Sequence, residues 1–242
     1  MERAFFSLTR HADVSKLEFE DGVLRTAVPA MLAEESDLVQ ITVDVCTERP
    51  AGLPVAAEPV EWDASIVVSS ASAIDIDSTE VDDLLVDSAM VSGRWNASVF
   101  EIADLAESWP GTATPAKKVS FVLEPANGTA HATFETWLEN DLQEATQRSA
   151  DPVGARAIVP VNGSTDQPTV VSYWFPTNAV LEGWVRDGLF DSLVESALVE
   201  RSSIRTYMSV EHRLVPNPNA WSMPTEPLLV RRTGDDDSAS SS

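Results

Sequence analysis

The apolar positions of residues 118–215 switch period repeatedly, from two to about 3.6 and back, which marks strands alternating with helices. Residues 119–124 form a β-branched and aromatic run that predicts a strand. Thr133 is the expected N-cap of a helix whose apolar face is Phe134, Trp137, Leu138, Leu142 and Ala145. Pro152 disfavours helical geometry in the residue before it, so residues 151–154 end that helix. Residues 155–161 and 169–175 predict two further strands, separated by the turn signal Asn162-Gly163. Val180, Leu181, Trp184, Val185, Leu189, Leu193, Val194, Ala197 and Leu198 then predict one long helix. Gly183 and Gly188 each cost that helix about 1 kcal/mol relative to Ala, which loosens its first turns. Residues 203–214 predict the last strand. Ile204, Thr206, Met208, Val210, His212 and Leu214 lie on one face, with Arg205, Tyr207, Ser209 and Glu211 on the other.

Residues 3–104 repeat this order more faintly. Residues 3–9, 38–45, 62–69 and 94–103 predict strands. Ser15 with Glu18 three residues on is a capping-box pattern, and Phe19, Val23, Ala27 and Met31 make an apolar stripe. Pro29 falls inside that stretch and is expected to kink or shorten the helix. Val81, Leu84, Leu85, Ser88 and Ala89 predict a short helix begun by Ser78 or Thr79. Residues 48–58, with Pro50 and Pro54, read as a long loop. Phe19-Glu20 falls on Phe134-Glu135, 115 residues later, and Arg94 and Ser98-Val99 fall on Arg205 and Ser209-Val210, 111 residues later. The order strand, helix, strand, strand, helix, strand is ferredoxin-like. The expected fold class is therefore α+β: a first repeat over 1–104, a linker over 105–117, and a second repeat over 118–215. A Pro-rich arm (216–234) and a disordered acidic and serine-rich tail (235–242) follow. Two helices cover only one face of such a sheet. Phe121, Tyr173 and Trp174 are expected on the other, so the two sheets should pack face to face as an internal pseudo-dimer, with a homodimer as a further option.

Composition narrows the function. Net charge is −23, with 39 acidic against 16 basic residues. Lys16, Lys117 and Lys118 are the lysines. This balance argues against nucleic acid or an anionic membrane as partner. No apolar run approaches the ~20 residues of a membrane span, and the first ten residues lack the features of a secretion signal. With Cys46 as the single cysteine, an internal disulfide is impossible and a cytoplasmic location is expected. Cys46 fits a small buried strand residue.

Two stretches resemble the EthD-like family of the dimeric α+β barrel superfamily. Leu8-Thr-Arg-His-Ala-Asp-Val-Ser-Lys-Leu-Glu-Phe19 resembles that family's opening of strand, Arg, short loop, Ser cap, acid and Phe. Phe134-Glu-Thr-Trp-Leu, followed by Pro152-Val-Gly-Ala-Arg156, resembles its Phe-x-x-Trp-Tyr helix and the strand carrying Arg. The resemblance implies a barrel of paired sheets and a small ligand. It also implies a helical His, which falls near Ala27 in the first half and at Leu142 in the second. Both are aliphatic here, so that residue's role does not carry over.

The candidate ligand-binding residues are Arg10, His11, Arg94, Tyr173, Trp174, Arg205, Tyr207 and His212. Arg94 and Arg205 stand out because they open the predicted fourth strands. His11, His131 and His212 lack metal-site spacing, and no Ser-His-Asp triad or Gly-rich phosphate loop is present. No cofactor is expected, and the residues leave catalysis open. Two functions fit. One is binding of a small apolar or aromatic molecule, as a cofactor-independent enzyme or accessory factor in catabolism or secondary metabolism. The other is a non-catalytic scaffold with degenerate sites.

Overall fold

A computed structural model describes residues 2–34, 37–47, 58–71, 74, 77–85, 88–103, 117–149, 152, 154–161, 167–187, 193, 195–214 and 231–232. The elements in chain order are β1 (Glu2–Arg10), α1 (Lys16–Asp21), a π-turn (Gly22–Ala27), α2 (Val28–Glu34), β2 (Leu38–Thr47), β3 (Glu58–Pro59), β4 (Ala64–Ser70), α3 (Ser78–Leu85) and β5 (Ala89–Ala103). Then come β6 (Lys117–Leu123), α4 (His131–Trp137), a second π-turn (Leu138–Leu142), α5 (Gln143–Ser149), β7 (Gly154–Pro160), β8 (Thr169–Phe175), α6 (Asn178–Arg186), β9 (Arg205–Leu214) and β10 (Arg231–Arg232). The chain divides into two compact units. Unit 1 comprises residues 1–46, 61–97 and 211–232, and unit 2 comprises 47–60, 98–210 and 233–242.

In unit 1 the strands lie in the order β2-β4-β1-β5, all antiparallel. Alternation sends Ala4, Phe6, Leu8, Ile41, Val43, Ile66 and Val68 to one face. There they pack with Phe19, Val23, Ala27, Met31, Val81 and Leu85 from the helices. Unit 2 repeats the order as β7-β8-β6-β9. Its core joins Val119, Phe121, Leu123, Val171, Tyr173 and Phe175 to Phe134, Leu138, Leu142, Leu181 and Trp184. The sheet face away from the helices is buried too. It holds Phe5, Ser7, Thr42, Asp44, Ser65 and Trp95 in unit 1, and Lys118, Ser120, Ser172, Trp174, Tyr207 and Ser209 in unit 2.

The two π-turns explain how the first helix of each unit keeps one face inward. Phe19, Val23, Ala27 and Met31 recur at intervals of four and are all at most 2% exposed. Phe134, Leu138, Leu142 and Thr146 do the same, at most 7% exposed. In a regular α-helix a four-residue stride overshoots a full turn by about 40° each time. Three strides would rotate the last residue out of the core. The wider π-turn, placed after the first stride in both units, takes up that overshoot.

This also corrects the expectation at Pro29. The helix does not end there but runs on to Glu34, because the Val28 N–H reaches back to the Val23 carbonyl through the π-turn. The widening relieves the crowding that a proline ring causes in the preceding turn. Other caps divide the same way. Ser15 forms the expected box, with Glu18 N–H donating to its Oγ (3.3 Å) and its own N–H donating to Glu18 Oε2 (2.9 Å). The second helix of unit 1 is capped instead by Asp77, whose Oδ1 accepts from the N–H groups of Thr79 and Glu80 (2.7 and 2.9 Å). Thr133 is not a cap: α4 begins at His131 behind Ala130, with no side-chain cap bond. The long helix expected from Val180 to Leu198 stops at Arg186, capped by Asp187. Leu198 and Val199 belong to a turn, where Val199 bridges Pro125. The apolar spacing of Leu198 had continued the predicted stripe, and Gly188 stands just past the observed end. Residues 105–116 of the expected linker, the Asn162-Gly163 turn and residues 233–242 lie outside the described residues, and Lys117, expected in the linker, begins β6. Of the arm, Arg231 and Arg232 pair antiparallel with Arg213 and His212.

Candidate functional site

Unit 1 carries an open cleft of about 400 Å³ between its first helix and the end of its second. Asp13, Val14, Glu18, Gly22, Thr26, Leu84, Leu85 and Ser88 line it. Each wall has a sequence cause. The capping box fixes Glu18 on the first helical turn. Gly22 lets that helix approach the α3–β5 turn closely, since a Cβ there would lie 2.7 Å from Ser88 Oγ. Ser88 is held by its own Oγ, which donates to the Leu85 carbonyl (3.2 Å), and by its carbonyl, which accepts from the His11 N–H (3.2 Å). The loop after β1 is braced by Arg10, whose guanidinium donates to the Val14 carbonyl and sits 3.7 Å from Asp63. Two hydrogen bonds from the Ser15 side chain and backbone hold the Glu18 carboxyl below its ordinary range. The result is a recess with an apolar floor of Val14, Leu84 and Leu85 and a polar rim of Asp13, Glu18, Thr26 and Ser88. Its volume falls in the range of small-molecule sites.

Unit 2 carries a second concentration of chemistry, on the buried sheet face away from its helices. Trp174 on β8 has Lys118 of β6 on one side and Arg156 of β7 on the other strand. Lys118 Nζ is 4.8 Å and Arg156 Cζ 5.6 Å from the indole ring centroid, within the range of cation–π attraction. Ser120 and Ser172 share a 2.8 Å hydrogen bond beside them, and Tyr207 lies across from Ser120.

The candidate residues from the sequence scatter over both units. Arg10 and His11 form the loop behind the unit 1 cleft, bracing it without lining it. Trp174 and Tyr207 share the polar face of unit 2. Tyr173 does not join them, since adjacent strand residues face opposite ways. It packs in the helix-side core against Phe121 and Trp184, with ring centroids 6.1 and 5.1 Å away. Phe121 is on the same helix-facing side, correcting its expected place. Arg94 and Arg205 are not equivalent. Arg94 stands within β5, on the helix side over Phe6 (5.8 Å). Arg205 begins β9 on the other side, donating to the carbonyls of Ser202 and Ile204 (3.0 and 3.3 Å). His212 is buried on β9 opposite Arg232. His131 is tied to Glu135 at 3.2 Å on the first turn of α4. Among the described residues no cluster of three or more His, Cys, Asp or Glu could hold a metal, and no helix is long and apolar enough to cross a membrane. The alternation that separates Tyr173 from Trp174 also aligns Lys118 with Ser120, and was available in the sequence. The cleft was not, because its walls meet only in three dimensions.

Burial pushes the Tyr173 phenol well above its ordinary pKa, and a hydrogen bond with Thr146 offsets this only in part. In a Tyr207→Phe variant Tyr173 is the sole tyrosine. Absorbance at 295 nm is expected to stay flat through about pH 10, where a free phenol ionises. The raised pKa gives a contribution to stability that is whole below about pH 10 and is lost as pH climbs above it toward the folded value. A normal tyrosine titration with the fold intact would contradict this burial.

No protein-family model and no curated protein matches the chain. Among solved structures it is similar to a provisionally assigned chlorite dismutase, with a TM-score of 0.53 and 14% identity over 87% of this chain and 95% of that chain. It is also similar to a provisionally assigned monooxygenase from Lactobacillus acidophilus NCFM (TM-score 0.48, 8% identity, 87% and 93% covered). A third similar structure is the encapsulated DyP-type peroxidase from Mycobacterium smegmatis (TM-score 0.44, 12% identity, 86% and 92% covered). The first of these establishes a likeness of fold alone: the chain is a mixed α/β protein that shares the fold of that structure.

Proposed function

We propose that the protein binds a small apolar or aromatic molecule in the unit 1 cleft, as an EthD-like binding protein serving catabolism or secondary metabolism. The observation that carries this reading is the cleft itself, an apolar floor of Leu84 and Leu85 under a polar rim, about 400 Å³ in volume. The two units are read as tandem ferredoxin-like repeats forming an internal pseudo-dimer. Their matching strand order and their π-turns at matching positions support this. A second reading, a scaffold without catalysis, draws on one observation. Ala27 and Leu142, where the resembled family carries its helical His, are both fully packed into the helix-side cores.

Native mass spectrometry of the protein purified from its own host separates the two. A retained molecule of roughly a few hundred daltons is expected. Thr26, exposed on the cleft wall, is replaced with Trp to fill the recess. Thr26→Trp should lose the retained mass without a change in melting temperature. Wild-type protein that is clean at its chain mass would favour the scaffold, and a variant that keeps the ligand would mean that the molecule is held outside this cleft.

A further inference from the structure

We infer that the cleft is selective for an amphipathic cation, an organic amine carried on a small apolar body. This deepens the proposed function and rests on it. Among the described residues, the ionisable side chains lining the recess are both acidic, namely Asp13 and Glu18. Thr26 and Ser88 add hydroxyl oxygens that can accept from an ammonium group, while Val14, Leu84 and Leu85 offer apolar contact at the floor. Arg10, at the end of β1, does not line the cleft, and Arg25, beside Thr26, is paired with Asp21 at 3.2 Å. The Arg10 guanidinium is turned to the Val14 carbonyl and matched by Asp63. The Glu18 carboxyl stays ionised because the capping box binds its charged form. The Gly22–Ala27 π-turn forms part of the wall, through Gly22 and Thr26, and such turns recur at functional sites. An anionic ligand of the same shape would meet two carboxylates and, among the described residues, no cation lining this recess. The partner is therefore recognised by an ammonium group above an apolar body.

Three probes of similar size test this by titration calorimetry on the full chain: benzylamine, benzyl alcohol and benzoate. Benzylamine is expected to bind about tenfold tighter than benzyl alcohol, with benzoate weakest. The double variant Asp13→Asn, Glu18→Gln preserves the cap, since glutamine also serves in that box. It should erase the amine preference, bringing benzylamine to the affinity of benzyl alcohol in the same variant. Benzoate binding as tightly as benzylamine would overturn the inference, as would an amine preference that survives in the double variant. Benzyl alcohol binding that Thr26→Trp removes, with no amine preference, also overturns it yet leaves the binding cleft standing. Failure of benzylamine to bind overturns it as well, and the retained-mass experiment then judges the cleft separately.

Discussion

Replacing Trp184 with alanine is expected to lower the stability of unit 2 by about 3–5 kcal/mol, the usual cost of removing a buried large aromatic. Trp184 is 2% exposed and lies at the meeting point of the α6 face and the sheet. Its ring centroid is 5.1 Å from those of both Tyr173 and Phe175. Truncation would open a void bounded by rings that cannot collapse into it, because Tyr173 is held on β8 by pairing with β6 and β7, and Phe175 by pairing with Lys117 of β6. Trp184→Phe retains part of the contact and should cost distinctly less. Urea unfolding followed by far-UV circular dichroism checks both. An alanine variant within about 1 kcal/mol of wild type would mean that the α6 face is not anchored through this ring.

Gly22→Ala is the second large effect, and its sign is the informative part. In a helix interior alanine is favoured over glycine by about 1 kcal/mol. Here a Cβ would come within 2.7 Å of Ser88 Oγ and 2.8 Å of Ser88 Cβ. The Cβ cannot swing aside as a flexible tip would, and the Ser88 backbone is fixed by the His11 N–H. The clash should therefore outweigh propensity, for a net loss of about 1–3 kcal/mol. Removing the obstacle should restore it: Gly22→Ala with Ser88→Gly is expected to recover stability relative to Gly22→Ala alone. Thermal unfolding of the four-member cycle reads this directly. A stabilised single variant would show that helix and turn are not in contact.

The strands were legible as short β-branched and aromatic runs, as in Thr169–Phe175, whose predicted and observed bounds coincide. Capping was legible where the cap and its partner are three residues apart and unambiguous, as at Ser15 and Glu18. It failed at Thr133, where a plausible cap residue sits inside the helix. Apolar spacing misled beyond Arg186, because Leu198 continues the spacing yet lies in a turn. The cleft was hidden for a different reason. Asp13, Glu18 and Ser88 look like ordinary loop, cap and turn residues until the Gly22 contact brings the α3–β5 turn against the first helix. Lys118 escaped notice beside Lys117, although alternation alone places it on the face of Ser120; the β6–β8 register then sets it opposite Trp174.

The paired π-turns have a consequence for finding relatives of this chain. A comparison tuned to a 3.6-residue rhythm treats Phe19, Val23, Ala27 and Met31 as a stripe that drifts off its face. Such a comparison will rank true kin below unrelated amphipathic helices. The fingerprint to scan for is instead a run of four inward residues at a constant interval of four, written twice in one chain at a separation of 115 residues, as Phe19 and Phe134 mark it here.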